Sequence, residues 1–588
     1  MKMKNKIITG ICAIIICGMC SLTSCQDMLD INSSNYIDTD DKQFDSANDT
    51  LYSVAGILKL VRELGEKYIV VGELRADLMD VTENASMDLQ EIANFSFTPN
   101  NPYVSTRDYY AVINNCNFFL QRVDTTIVSN GRKVMKGEYS VVKAIRAWTY
   151  MQLALNYGKA VYFTEPILNT DDMDRNKSEM PAEQLIATLL ADMQDSLDET
   201  IYPSYGGDFP SDAFISGPMV AADLNLWLGA YTGNPTYYED AAAIYYRLIN
   251  TNAYRGAWNF MNRYLGRAFD EFSSSTSWCP IIFQDSRERI TTITYSLDAE
   301  EVTDYPELVR LTLPNVAGSN FNFEYALKPA QAAIDLWNNE TYIHYVDLSR
   351  ESYYTKGDLR GLAVRSFNIM GSYYYSEDDK TKPYIAKFGY FMIMSYGNTI
   401  NLTGDLVPLY RTGKLYLRYA EALNALGKPT LAFAVLKHGL KREILNNPAI
   451  INQDEIMPMP DYCDFRDVRY SLTGIQPQTG IHDRGSGYST QDTVFYAFTP
   501  ETLERNLGYY GFPAKLETKQ DSILFVDAMI CKELGLETAF EGNRFQDLMR
   551  FSIRQNDDSF LAKWVGRKDP ALEGMLMNRN NWFLPTPK

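Results

Sequence analysis

The chain has 588 residues, 46% of them hydrophobic and 22% charged, with 74 acidic side chains against 55 basic ones and a formal charge of −19. It is too long for a single hydrophobic core and too apolar for disorder, which leaves several domains or a repeat-built solenoid. An acidic chain without a basic stripe argues against nucleic acid as a partner, because nothing offsets phosphate repulsion.

Residues 1–24 read as an export leader. Lys2, Lys4 and Lys6 precede the apolar run 7–19, which falls short of the roughly 20 residues that a membrane-spanning helix needs. The run closes on Leu22-Thr23-Ser24-Cys25, which resembles the lipobox of bacterial lipoproteins. That resemblance implies cleavage before Cys25, a diacylglycerol on its sulfur and an acyl chain such as palmitate on its freed amine. Each buried methylene adds about 0.8 kcal/mol, so the anchor is stable. Without the three leader lysines the charge becomes −22. No second run of spanning length follows. Residues 25–45 form an acidic tether with Asp38-Thr39-Asp40-Asp41, loosely similar to the surface-export signals of Bacteroidetes lipoproteins. It lacks the glycine and distal glutamate of a calcium-binding EF-hand loop. Cys116, Cys279, Cys463 and Cys531 show no paired spacing and read as buried free thiols, not as a zinc site or disulfide framework.

The body, 46–588, is expected to be one globular unit in three parts: helical 46–250, loop-rich 251–410 with short strands, and C-terminal 411–588. Apolar residues at helical spacing predict helices over 46–64, 107–128, 138–157 and 181–197. Gly158 is placed to cap the third, and Pro181 to sit in the first turn of the fourth. Two hairpins follow, 218–232 with 237–249 and 412–426 with 431–444, joined by Gly233-Asn234-Pro235 and Gly427-Lys428-Pro429. A Gly-x-Pro turn between amphipathic helices is how a tetratricopeptide-like unit is made. The expected fold is therefore mainly α: a tetratricopeptide-like helical-repeat scaffold of about four helix pairs, with long irregular segments and a few short strands such as 290–295 and 384–394.

Five segments in chain order carry a family resemblance. Ile113-Asn114-Asn115-Cys116-Asn117-Phe118-Phe119-Leu120 looks like the asparagine-bearing helix near the start of the SusD/RagB family of Bacteroidetes outer-membrane lipoproteins. Arg146-Ala147-Trp148-Thr149-Tyr150-Met151-Gln152-Leu153 resembles its Arg-Ala-x-x-Tyr-x-x-Leu helix, and Tyr419-Ala420-Glu421-Ala422-Leu423-Asn424 its Tyr-Ala-Glu-Ala-Leu-Asn signature. Glu541-Gly542-Asn543-Arg544-Phe545-Gln546-Asp547-Leu548-Met549-Arg550 matches its Glu-Gly-x-Arg-x-x-Asp-Leu-x-Arg box, and 582–587 its closing aromatic and Pro-x-Pro tail. Asn543 and Gln546 depart from the residues common in the family at those places.

The resemblance implies a binding protein, not an enzyme. It implies an outer-membrane location facing the cell exterior, and a partner, a SusC-like TonB-dependent transporter over which the protein acts as a lid. Its cargo would be a glycan or, as in the RagB branch, a peptide; a surface hydrolase is the third reading, which turnover of a bound polysaccharide would reveal.

Physically, Arg544, Asp547 and Arg550 share one helical face with Glu541 just before them, so they predict an ion-pair ladder pinning that helix to its neighbours. Glu421 reads as a buried, paired acid, and Arg146 and Tyr150 as scaffold residues. Signatures of nucleophilic hydrolases, zinc proteases, phosphate loops and dinucleotide folds are absent. His344, His438 and His482 are well separated. No cofactor is implied, and the sequence leaves open whether a calcium ion braces a loop.

Sugar rings stack on flat aromatic faces while polar side chains take their hydroxyls. The segments suited to this are 73–77, 97–110, 258–278 and the run Tyr373-Tyr374-Tyr375. From them Arg75, Asp77, Asn101, Tyr103 and Trp278 are the candidate ligand residues.

Overall fold

The signals that predict the helices also say where most of them stop. The computed structural model describes residues 47–129, 132–133, 135–173, 178–197, 202–203, 211–250, 288–295, 307–315, 323–346, 351–361, 371–376, 379, 381–388, 390–394, 397–401, 406–465, 480–486 and 496–586. Its helices of eight or more residues are α1 (Ala47–Leu74), α2 (Met87–Asn94), α3 (Arg107–Arg122), α4 (Lys136–Tyr157), α5 (Ala182–Met193), α6 (Gly217–Thr232) and α7 (Pro235–Asn250). They continue with α8 (Gln331–Asn338), α9 (Thr412–Ala425), α10 (Pro429–Lys437), α11 (Lys519–Thr538), α12 (Arg544–Gln555) and α13 (Asp558–Gly566).

Eight of these make a row in which each packs on the next: α1, α3, α4, α5, α6, α7, α9 and α10. That is four helix pairs, the arrangement by which a solenoid buries a face of every unit. The expected tetratricopeptide-like scaffold is present. Within it, the Ser216 hydroxyl accepts the Met219 N–H to start α6, and Gly233 ends it in the left-handed region at φ +66°. Gly158 caps α4 in the same way at φ +72°.

Some boundaries differ from expectation. α1 runs ten residues beyond 64, because Gly65 is a packing notch: a Cβ there would lie 2.2 Å from the Tyr295 hydroxyl oxygen. α3 ends at Arg122, and α10 ends at Lys437, just before Gly439 turns left-handed at φ +71°. Pro181 is the N-cap of α5 and lies outside its first turn. The single strand expected over 384–394 is two, Pro383–Ile385 paired with Tyr373–Tyr375 and Tyr390–Met394 paired with Gly397–Asn401. The strand expected over 290–295 is Arg289–Thr294, antiparallel to Leu406–Arg411 and packed on α1.

Lying across the row, α12 packs on α1, α6 and α11. Here the first described helix meets the C-terminal motif. Gly72 and Gly542 come so close that a Cβ on Gly72 would lie 1.9 Å from the Gly542 carbonyl oxygen, and Gly542 has φ +82°. Only glycines allow that approach. It delivers the Glu73 carboxylate to the start of α12, where Oε1 accepts the N–H groups of Gly542 (2.8 Å), Asn543 (3.1 Å) and Arg544 (3.3 Å), and Oε2 that of Phe540 (3.0 Å). Unpaired N–H groups at a helix start favour an anion. Complete burial nonetheless raises the Glu73 carboxyl to about 7.

The ladder expected from the sequence exists, and it reaches outward. Arg544 holds Asp77 with two bonds, of 2.7 and 3.0 Å. Arg550 holds Glu421 of α9 at 2.8 and 2.7 Å and Asp547 at 3.0 Å. Asp547 also pairs with Arg418 of α9 at 2.5 Å. Glu541 joins a second buried cluster, accepting from Arg411 at 2.8 Å and from Lys387 at 2.5 Å. Arg411 and Arg484 share Glu288 and Glu537, while Arg360 binds Asp358, Glu533 and Glu537. The family's other arginine, Arg146, ties α4 to α3 through Asn117 (2.8 Å) and to α5 through Asp192 (2.7 Å). The Tyr150 hydroxyl donates to the Phe163 carbonyl at 2.8 Å.

Candidate functional site

Burial removes three of the five candidate ligand residues from a surface site. Arg75 is fully enclosed, donating Nε to Val71 O (2.8 Å), Nη1 to Trp582 O (2.9 Å) and Nη2 to Asn156 Oδ1 (2.5 Å), with its guanidinium over the Phe545 ring. Asp77 is equally enclosed and committed to Arg544. The Asn101 amide donates to Asp88 O (2.9 Å) and Glu91 Oε2 (3.0 Å) and accepts the Tyr103 N–H, so it shapes its own loop. The segment 73–77 looked like a loop because Leu74 ends a helix there, yet it is the half of the clamp that meets α12. Trp278 and Cys25 lie outside the described residues, as does Cys279. Cys116, Cys463 and Cys531 are free and buried, and burial pushes the Cys116 and Cys531 thiols up to about 12.

Other aromatics of the proposed stretches are also spoken for. Tyr109 is buried, and Tyr110 lies flat on Phe163 at 6.0 Å while its hydroxyl accepts the Val161 N–H. Tyr373 stacks on Trp337 in the core at 5.5 Å. Tyr103 is different. It is half-buried, and its hydroxyl donates to Glu66 Oε1 on the outward side of α1.

Around that pair the structure gathers residues from four separate segments. Burial raises the Glu66 carboxyl, against the opposing pull of the Tyr103 bond, Arg310 and Lys67. Burial and then the Glu66 charge push the Tyr103 phenol far up, which keeps it a neutral donor. One turn earlier on α1, Arg62 Nη1 donates to the Tyr295 carbonyl at 3.0 Å, and the Tyr295 ring fills the notch at Gly65. The result is a tyrosine pair with one acid and two arginines, in reach of irregular segments.

A cavity of about 200 Å³ adjoins this cluster through Arg62. Its apolar wall includes Leu58 and Val61 of α1, Ile215, Ile293 and Leu409, and its charged lining is Lys59 and Arg62. Thr291, Thr292 and Thr294 complete it. The Thr291 hydroxyl is used internally, donating to Phe214 O and accepting the Ser216 N–H. Thr294 Oγ1 is shielded from water and has no hydrogen-bond partner among the described residues. A larger hollow, of about 440 Å³, beside Phe433 and Phe498 carries no charged lining residue. The sequence offered a signal for the first cavity, namely the 3.6-residue pattern that puts Leu58, Val61 and Arg62 together and the threonine run on the paired strand. Nothing in it set Arg62 or Glu66 apart from ordinary solvated helix charges. Among the described residues no group of three or more His, Cys, Asp and Glu side chains could hold a metal ion, and no helix is long and apolar enough to cross a membrane.

No protein-family model matches the sequence. The chain is similar to "SusD-like protein P38" of Formosa agariphila, 22% identical over 516 residues that cover 84% of this chain and 92% of the relative. Among solved structures it is similar to a SusD superfamily protein of Bacteroides vulgatus (TM-score 0.55, 14% identity, 92% of this chain and 96% of that one) and to one of Bacteroides thetaiotaomicron (TM-score 0.54, 15% identity, 93% and 96%). The fold is that of the SusD superfamily. The similarity to the SusD-like relative runs along nearly that protein's full length, and the fold is shared with these solved structures.

Proposed function

We propose that this protein is a cell-surface lipoprotein of the outer membrane, anchored through Cys25, that binds a glycan and passes it to a SusC-like TonB-dependent transporter. It is a binding protein and not an enzyme. The observation that carries the reading is the Tyr103–Glu66 pair with Tyr295 and Arg62 beside a ring-sized cavity. Aromatic faces, a fixed carboxylate acceptor and arginine donors are what a sugar's C–H face and hydroxyls require. Transporter docking falls to the outer face of the helix row, since a solenoid presents an extended surface of the size a stable interface needs.

Native affinity electrophoresis of the mature chain through gels containing plant, microbial and host polysaccharides tests the reading. Retardation by one of them, lost in Tyr103→Ala, supports it. Migration unchanged by every polysaccharide would favour peptide cargo instead.

A further inference from the structure

Five buried arginines of this fold each keep a carboxylate, whereas the buried Arg75 is satisfied by carbonyl and amide oxygens alone. Arg360, Arg411, Arg484, Arg544 and Arg550 each hold a carboxylate oxygen within 3.0 Å. The cavity beside α1 differs from those five. Its two charged lining residues are both cations, and neither Lys59 nor Arg62 forms an ion pair among the described residues. Arg62 spends one nitrogen on the Tyr295 carbonyl, and Lys59 is exposed. Two nearby acids are engaged, Glu66 by Tyr103 and Asp212, beside Thr292, by Arg289. In a chain of net charge −19, two unpaired cations on the rim of an apolar hollow are a local reversal of sign.

An occupant is expected to match both features. It needs an apolar face for Leu58, Ile215 and Ile293 and a negative charge between Lys59 and Arg62. A volume of about 200 Å³ admits one ring and little more. A neutral sugar would leave the cations without a counter-charge; a simple inorganic anion would leave the apolar wall uncovered. Resting on the glycan-binding reading above, we infer that the cavity takes a single acidic pyranose, a ring bearing a carboxylate or a sulfate, from an anionic polysaccharide. The carboxylate or sulfate sits between Lys59 and Arg62, and the ring's C–H face lies on the apolar wall.

The experiment is affinity electrophoresis of the mature wild-type chain and its Lys59→Glu and Arg62→Gln variants. The gels contain polygalacturonate, alginate, chondroitin sulfate or carrageenan, with starch, xylan, galactomannan and dextran as neutral counterparts. Any acidic polysaccharide that retards the chain is run again after carboxyl reduction or desulfation, which separates the two anion sources. The expected result is retardation by an acidic polysaccharide, abolished when its charge is removed, with apparent affinity roughly tenfold lower in Lys59→Glu. Lys59 is exposed, so that variant folds even if Arg62→Gln does not. Retardation by neutral polysaccharides alone, or by an acidic one equally in Lys59→Glu, overturns this inference and leaves the glycan reading standing. Retardation by none of the eight overturns both.

Discussion

The C-terminal clamp and the cavity beside α1 use the same side chains to opposite ends. At the clamp, Arg544, Arg550 and Arg411 are sealed from water, each tied to carboxylates that reach them from other segments. At the cavity, Lys59 is exposed and Arg62 half-buried, and neither pairs with a carboxylate among the described residues. A buried arginine without its acid costs several kcal/mol, so the clamp's pairs are obligatory for folding. An exposed cation costs little to leave unpaired, so the cavity's charges are free for a ligand. The same residue type is thus structural or available according to burial alone.

That contrast can be broken or sharpened by substitution. Arg411→Ala takes one cation from Glu288, Glu537 and Glu541, leaving them Arg484, Arg360 and Lys387, and is expected to cost about 3 kcal/mol in chemical denaturation; a loss under ~1 kcal/mol would mean that the cluster does not hold the fold. Acid should act on the same cluster. Burial alone would raise the Glu533 carboxyl, yet Arg360 and then His482 hold it down to about 2, and the arginines around Glu537 hold that group lower still. Both folded values lie below the ordinary 4.5, so their contribution is complete above pH ~4.5 and is lost as the pH falls toward 2. For Glu533 the loss is about 3 kcal/mol, and a denaturation midpoint flat from pH 5 to 3 would refute it. Glu73→Ala leaves four N–H groups at the start of α12 without an acceptor and is expected to cost about 2–3 kcal/mol.

The cavity side should respond differently. Tyr103→Phe loses one bond to Glu66, for about 1 kcal/mol of stability, and its loss of glycan retardation should exceed what that predicts. Lys59→Glu should leave stability within ~0.5 kcal/mol while weakening binding of an acidic glycan. A stability loss as large as at Arg411 would erase the distinction between the two regions.

The helix row was legible because it is written locally. Spacing of apolar residues, Gly158 and the two Gly-x-Pro turns act within a few residues of where they sit. The ion-pair ladder over Arg544, Asp547 and Arg550 was visible as a pattern on one helix, but its partners were not. Asp77 and Arg544 are 467 positions apart, and no local signal joins them. That is why Arg75 and Asp77 read as loop residues with ligand chemistry, when their charges are turned inward to the C-terminal motif and its surroundings. Tyr103 keeps partial exposure, as its loop placement led one to expect. Glu66 and Arg62 were hidden because only the fold brings Tyr295 and the 97–106 loop onto α1.

The Gly72–Gly542 contact has a consequence for how the molecule comes together. Glu73 accepts its hydrogen bonds from residues 467 to 471 positions away, so the first described helix waits for a segment made near the end of synthesis. Until residue 544 exists, that carboxylate lacks these four donors, and α1 has only α3 and its other earlier neighbours to pack on. A contact of such sequence separation makes closure a late, slow event. Nascent or truncated chains ending before the motif should therefore behave as a row of helices without a keystone, prone to proteolysis at both ends.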